Sequence, residues 1–294
     1  MFNFCTDPDT LSTFRWFACY FTTAKHANLY WAFGTVFLLL AITAPTALAF
    51  GFGGAVAARS RIAPVRWIAQ AYLALFRSVP ETVFFLFFVI ALDQGFEYIN
   101  HLIRCPDWTE PIRQGNDFIV CAQAKIPLGN ADQYYHEVYG FFLAVLTFAI
   151  VFGAFSGNIL VGAMRSVPRA QIETAEAYGM TERQAFWRVT VPQMWTYALP
   201  GLSNVWMVLT KSTPLLFLLG VEDIVYWGRE LGATANPRFT AYPHGDWRMW
   251  YFLFLLIFYL GLTRASEIAF ARLNDRLSRG QATLAGEALR RADA

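Results

Sequence analysis

Four stretches of this chain run without a single Asp, Glu, Lys or Arg: between Lys25 and Arg59, between Glu137 and Arg165, between Arg188 and Lys211, and between Arg248 and Arg264. The hydrocarbon core of a bilayer is about 30 Å thick and takes roughly 20 mostly apolar helical residues to cross, so runs of this kind restrict the fold more than any other feature. The last run is short, but Arg248 and Arg264 can snorkel from its ends. A fifth apolar stretch, 79–98, requires Asp93 and Glu97 to lie near its far end. Alternation of apolar and polar residues, the mark of a membrane β-barrel, is missing from runs such as FFLAVLTFAIVFG, which leaves helices. Of the 294 residues, 56% are hydrophobic and 15% charged, too few charges to clothe a soluble domain of this size. The expected fold is therefore all-α and integral to a membrane, with about five spans near 28–52, 79–98, 138–160, 196–219 and 248–270.

Short-loop charge sets the orientation. Arg59, Arg61, Arg66 and Arg77 follow the first span with no acid before Glu81, placing that segment inside. The insertion 99–137 is acid-rich and placed outside. Alternation puts 162–194 inside, 220–247 outside and the tail 276–294, with Arg279, Arg290 and Arg291, inside, so the N-terminus is out and the C-terminus in. Residues 1–27 lack the basic segment, apolar core and cleavage site of a signal peptide, and the aromatic stretch 11–23 reads as interfacial. Cys105 and Cys121 in the outer insertion could pair in an oxidising compartment, with Cys5 and Cys19 a weaker pair. No cysteine or histidine spacing indicates a metal, and His26, His101, His136 and His244 receive no role.

The polar interval 165–200 has the signals of two short helices. Pro168 suits a first helical turn, Gly179 a left-handed stop, and Thr181 with Gln184 a capping box before Pro192. Ala175 and Ala177, flanked by Glu173 and Glu176, could enter a groove on another protein. A merely solvated loop would carry the same composition.

Three motifs, in order, settle which reading to prefer. ETAEAYGMTERQAFWRVTVP resembles the EAA signature of ATP-binding-cassette importer permeases, with Glu173, Ala175, Gly179, Val191 and Pro192 in place and Thr174 where Ala is usual. YLALFRSVP (72–80) and LPGLSNVWMVLTKSTPL (199–215) resemble segments of the polar amino-acid branch, which includes histidine, glutamine, arginine and opine systems. The resemblance covers roughly 28–275. It implies a type I importer permease fold in a bacterial inner membrane, a second permease subunit, separate ATPase subunits carrying ATP and Mg, and a periplasmic binding protein. Glu173, Ala175, Glu176, Ala177, Gly179 and Pro192 would couple to the ATPase. None of the three lysines, Lys25, Lys125 and Lys211, stands in a GxxxxGK[ST] phosphate loop, so the chain is expected to be a transport subunit without a catalytic site or bound cofactor of its own.

Inside the membrane, Lys211 sits beside Thr210, Ser212 and Thr213, and Asn204 lies two helical turns earlier on the same face. A buried cation costs at least about 2.5 kcal/mol on insertion scales, so this stripe is expected to face a cavity or partner. Lys211 could meet a substrate carboxylate or a gate acid, or only brace the helices; Asn158 joins Asn204, Lys211, Ser212 and Thr213 as candidate pathway residues. Arg77, Pro80 and Glu81 form a charged kink that could gate the pore or anchor at headgroups. Gly153 and Gly157 read as a close-packing seam. Where the family usually has AAYxxExxRG, this chain places Asn158 at the Glu and Val161 at the Arg, which favours a heterodimer with a permease that keeps both charges. The alternatives are an ion-gradient-driven secondary transporter, whose repeats and paired intramembrane acids are missing here, and a noncatalytic scaffold, which leaves the Glu173–Pro192 loop unexplained.

Overall fold

The computed structural model describes residues 5, 10–78, 80–115, 117–219, 221–237 and 240–277. In chain order the helices are α1 (Thr13–Phe21), α2 (Ala24–Ala57), α3 (Ala63–Ser78), α4 (Glu81–Arg104), α5 (Gln133–Ser166), α6 (Arg169–Ala177), α7 (Glu182–Ala185), α8 (Val191–Ser212), α9 (Ile224–Gly232) and α10 (Arg248–Leu277). A small antiparallel hairpin of β1 (Arg113–Gln114) and β2 (Asp117–Phe118) stands between α4 and α5. Among the described residues, four helices are long and apolar enough to cross a bilayer: α2, α4 from Thr82 onward, α5 and α10. The expected span 196–219 falls on α8, which is not among these four. Its helix ends at Ser212, and residues 213–219 tighten into 3-10 geometry around Pro214. Proline has no N–H to continue the backbone ladder of an α-helix.

At 34 residues each, α2 and α5 are about 51 Å long at 1.5 Å per residue, enough to project beyond the hydrocarbon at one or both ends. They form the largest interface in the bundle. Its centre is built from three glycines. A Cβ on Gly51 would lie 2.7 Å from the Gly153 carbonyl oxygen and 2.8 Å from the Gly157 nitrogen, while one on Gly157 would meet Leu73 at 2.6 Å. Lipid offers no hydrophobic drive for helix pairing, so dispersion between closely approaching backbones carries the association. Around that crossing Leu39, Leu40, Phe148 and Phe152 are fully buried, and Phe85 of α4 stacks on Phe148 at 4.5 Å.

The basic segment after the first span, expected as an inside loop, holds a 16-residue helix, α3. Its buried residues Ala69, Leu73 and Phe76 recur at helical spacing and turn toward the bundle. Tyr72 donates to the Ile150 carbonyl at 2.6 Å, tying α3 to the middle of α5. The stretch read as interfacial is α1, whose Trp16 and Tyr20 pack on Tyr242 and Trp247. Both cysteine pairs are joined, Cys105 to Cys121 and Cys5 to Cys19. The tail beyond 277 lies outside the described residues.

Candidate functional site: the loop around Glu173 and the α8 stripe

The loop folds as its capping signals direct. Pro168 stands one place earlier than expected, as the N-cap of α6 rather than inside its first turn. Gly179 adopts φ +86°, the left-handed geometry that lets the helix stop and the chain reverse. Thr181 Oγ1 then accepts from the Gln184 N–H while the Gln184 side chain accepts from the Thr181 N–H, a reciprocal box that starts α7. A π-helical turn, Phe186–Thr190, leads without a break into α8, with Pro192 in the first turn of that helix.

This loop is pinned to the end of α2. Arg61 pairs with Glu182, the Arg59 guanidinium lies 5.6 Å above the Phe186 ring, and Phe52 meets Trp187 at 5.8 Å between centroids. Both partners of the ion pair are well exposed, so the aromatic contacts contribute more of the attachment. Between α2 and the loop lies a cleft of about 740 Å³ bordered by Gly53, Ile172, Glu176 and Arg183. Glu173, Glu176, Ala177 and Gly179 face outward, and Tyr178 at the tip is 85% exposed. Ala175 does not share that surface. It is 7% exposed and turned into the loop, because on a helix it lies two positions from Glu173 and Ala177 and so points roughly opposite to both.

The expected pathway residues separate into two groups. Asn204 and Lys211 are exposed, as are Tyr197 and Pro200, and the four form one stripe along α8. Asn204 and Ser203 open onto a cleft between α8 and α10 that also carries Glu267 and Asn274. Ser212 and Thr213 are buried, and their hydroxyls donate to the Val208 and Thr210 carbonyls. Thr213 also bonds Tyr259 at 2.9 Å. Asn158 is committed to the fold, since its amide donates to the carbonyls of Leu73 at 2.8 Å and Ala154 at 3.0 Å. A glutamate carboxylate has no proton for either bond. Pro80 caps α4, and the side chains of Arg77 and Glu81 lie outside the described residues.

Sequence reasoning missed three polar features at the other end of the bundle. Asp223 is fully buried. Its Oδ1 accepts from the Val225 and Tyr226 N–H groups and so caps α9, whereas Oδ2 has no partner among the described residues. Burial outweighs those two bonds and pushes its carboxyl up to about 7. Beside it, burial and the neighbouring Glu137 raise Glu222. Tyr139 donates to Asp93 at 3.0 Å, which accounts for an acid three turns inside α4. Finally, Tyr20, His26, His244 and Tyr251 form one hydrogen-bonded chain. His101 gathers near Cys105 and Cys121, but both sulfurs are in the disulfide and His101 Nδ1 accepts from the Cys121 N–H, so this set is not a metal site.

Residues 49–279 match the family described as "Binding-protein-dependent transport system inner membrane component". The chain belongs to this family. It is a transport permease subunit of the inner membrane, a class of chain that is not itself catalytic. The arginine ABC transporter permease ArtQ of Escherichia coli K12 is 28% identical over 223 residues, covering 74% of this chain and 80% of that one. The histidine/lysine/arginine/ornithine permease HisQ of the same strain is 44% identical over 81 residues, which cover 28% of this chain and 36% of HisQ. The octopine permease OccQ of Agrobacterium tumefaciens Ach5 is 24% identical over 195 residues, 66% and 71% of the respective chains. Among solved structures, the permease fold matches a chain of an amino acid ABC transporter crystallised with histidines, at a TM-score of 0.59 and 18% identity over 87% of this chain and 98% of that one.

Proposed function

We propose that this permease subunit forms half of the translocation path of an ATP-driven importer for polar amino acids or related opines. The observation that carries this reading is the loop Glu173–Pro192, which is rigidly capped, attached to the end of α2 and outward-facing at Glu173, Glu176, Ala177 and Tyr178. A surface of this kind suits a separate ATPase, whose closure would be transmitted through α2 and α8. Contacts that differ between the open and closed ATPase are what would shift the permease between two access states. The printed specificities of ArtQ, HisQ and OccQ support the substrate class.

The exposed stripe of Asn204 and Lys211 is the best surface for the path itself, with α8 as the fifth membrane-spanning helix, N-terminus out and C-terminus in. Asn158 belongs to the packing of α3 on α5 and not to the path. Its amide suits an uncharged site, in keeping with a heterodimer in which the second permease keeps the Glu and Arg that this chain lacks. Purification of the intact complex tests this: two different permease chains with the ATPase are expected, and this chain alone with the ATPase contradicts it. Reconstitution with the ATPase and binding protein should give amino-acid uptake that requires ATP. Uptake that persists without ATP and collapses with the proton gradient would overturn the importer reading.

A further inference from the structure

At the end of the bundle opposite the Glu173 loop, α1, the start of α2 and the start of α10 enclose a cavity of about 590 Å³ walled mainly by aromatic rings, among them Phe17, Phe21, Trp247, Trp250 and Phe254. Its hydroxyl and imidazole lining is Tyr20, His26, Tyr30 and Tyr251, whose protons are already engaged, and its remaining polar edges are the indole N–H groups of Trp247 and Trp250. A carbonyl oxygen can only accept, so the 2.7 Å contact to the Gly245 carbonyl places a proton on His244 Nδ1. With that proton on Nδ1, Nε2 and the Leu231 carbonyl share the Tyr20 hydroxyl proton, at 3.1 and 3.4 Å. Tyr20, having given its proton, accepts from Tyr251 at 3.0 Å, Tyr251 accepts from His26 Nε2 at 2.7 Å, and His26 Nδ1 accepts from Thr23 at 2.8 Å. Tyr30 donates to the Phe21 carbonyl at 3.0 Å. An occupant that needs a donor from these four side chains would have to break this chain, whereas an acyl chain leaves it intact.

The cavity is also continuous with the surface that faces lipid. Tyr30 and Trp31 on α2, and Met249, Trp250, Leu253 and Phe254 on α10, are exposed on two helices that cross the inner membrane. Tryptophan and tyrosine concentrate at the level where acyl chains meet headgroups, because each ring is apolar with one polar edge.

We infer that this cavity is a lipid site, holding one acyl chain of a membrane phospholipid in the leaflet opposite the Glu173 loop and wedging α1 against α2 and α10. The site is separate from the α8 stripe and does not depend on the transported substrate.

The test uses the complete transporter in nanodiscs containing phosphatidylethanolamine with a diazirine in its acyl chain, followed by peptide mapping of the photoproducts. Labelling of 17–30 and 247–254 is expected to exceed, several-fold per exposed residue, that of Leu256, Ile257 and Leu260, which are equally exposed on the same helix. Leu29→Trp, filling the cavity from its floor, should abolish the excess and leave the 256–260 labelling unchanged. Tyr30→Phe, which removes only a hydroxyl, should leave the excess in place and shows that the comparison survives a folded variant. Labelling that merely follows exposure along α10 would identify ordinary boundary lipid and overturn the proposal. So would capture of a small soluble aromatic diazirine by the cavity with no excess from the lipid probe.

Discussion

Two residues show how environment, more than identity, sets what a polar side chain does here. Asp223 was unremarkable in sequence, one acid in a loop, yet it is buried with one oxygen capping α9 and the other without a partner among the described residues. Its carboxyl titrates near 7 in the fold against 3.8 as the ordinary value. The folded state therefore binds the extra proton in that window, and stability falls as pH rises from about 4 through 7. Three pH units correspond to about 4 kcal/mol as an upper bound. Asp223→Asn keeps one cap acceptor and removes the charge, so the melting temperature of the purified variant should depend less on pH between 4 and 7. An unchanged pH profile would show that the carboxyl is not held in an apolar site. Asn158 carries the complementary lesson. Its placement in the membrane was readable, but the Leu73 carbonyl that it satisfies comes from a segment 85 residues away, and only the three-dimensional pairing of α3 with α5 could reveal it.

At the scale of elements, legibility followed the local signals. Gly179 and the Thr181–Gln184 pair define the loop through their own backbone geometry, and both behave as read. The Gly153/Gly157 seam was also readable as close packing, although its partner Gly51 was not, because a single small residue on α2 has no local signature. Helix α3 was hidden by Arg59, Arg61 and Arg66, whose charge bias marks a loop even when Ala69, Leu73 and Phe76 follow at helical spacing. The glycine crossing is testable by contrast. Gly51→Ala places a methyl against the backbone of α5 and should destabilise the bundle by about 1–3 kcal/mol, as overpacking does. Gly53→Ala, two residues on, meets nothing within 4 Å and should leave thermal melting in detergent unchanged or slightly raised. Equal melting of the two variants would contradict the close approach. Thr181→Ala removes the cap of α7 and should cost about 1 kcal/mol locally, seen as faster amide exchange across 181–186.

For the whole molecule, the bundle divides its labour between its ends. One end presents the capped loop, held to α2 by Arg59 and Arg61. The other gathers the buried Asp223, the disulfide-linked insertion and the aromatic cavity. The α8 stripe lies between them. Membrane class and family were legible because uncharged runs and the ordered motifs around Glu173 and Lys211 are properties of the linear chain. Which residues face outward was less so, as the inward turn of Ala175 and the buried hydroxyls of Ser212 and Thr213 show, since each depends on helix phase against a neighbouring element.

The central claim, that the loop is where an ATPase docks, is most directly tested by co-purification of the ATPase with a graded series at Gly179, together with Glu173→Lys. No atom crowds the Gly179 position, so substitutions act there only through its left-handed backbone, at about 1–2 kcal/mol for ordinary side chains and less for Asn. The account predicts near-normal ATPase recovery with Gly179→Asn, reduced recovery with Gly179→Ala and loss with Gly179→Val and Glu173→Lys, at unchanged membrane insertion. Full ATPase recovery and transport in Gly179→Val and Glu173→Lys would contradict it.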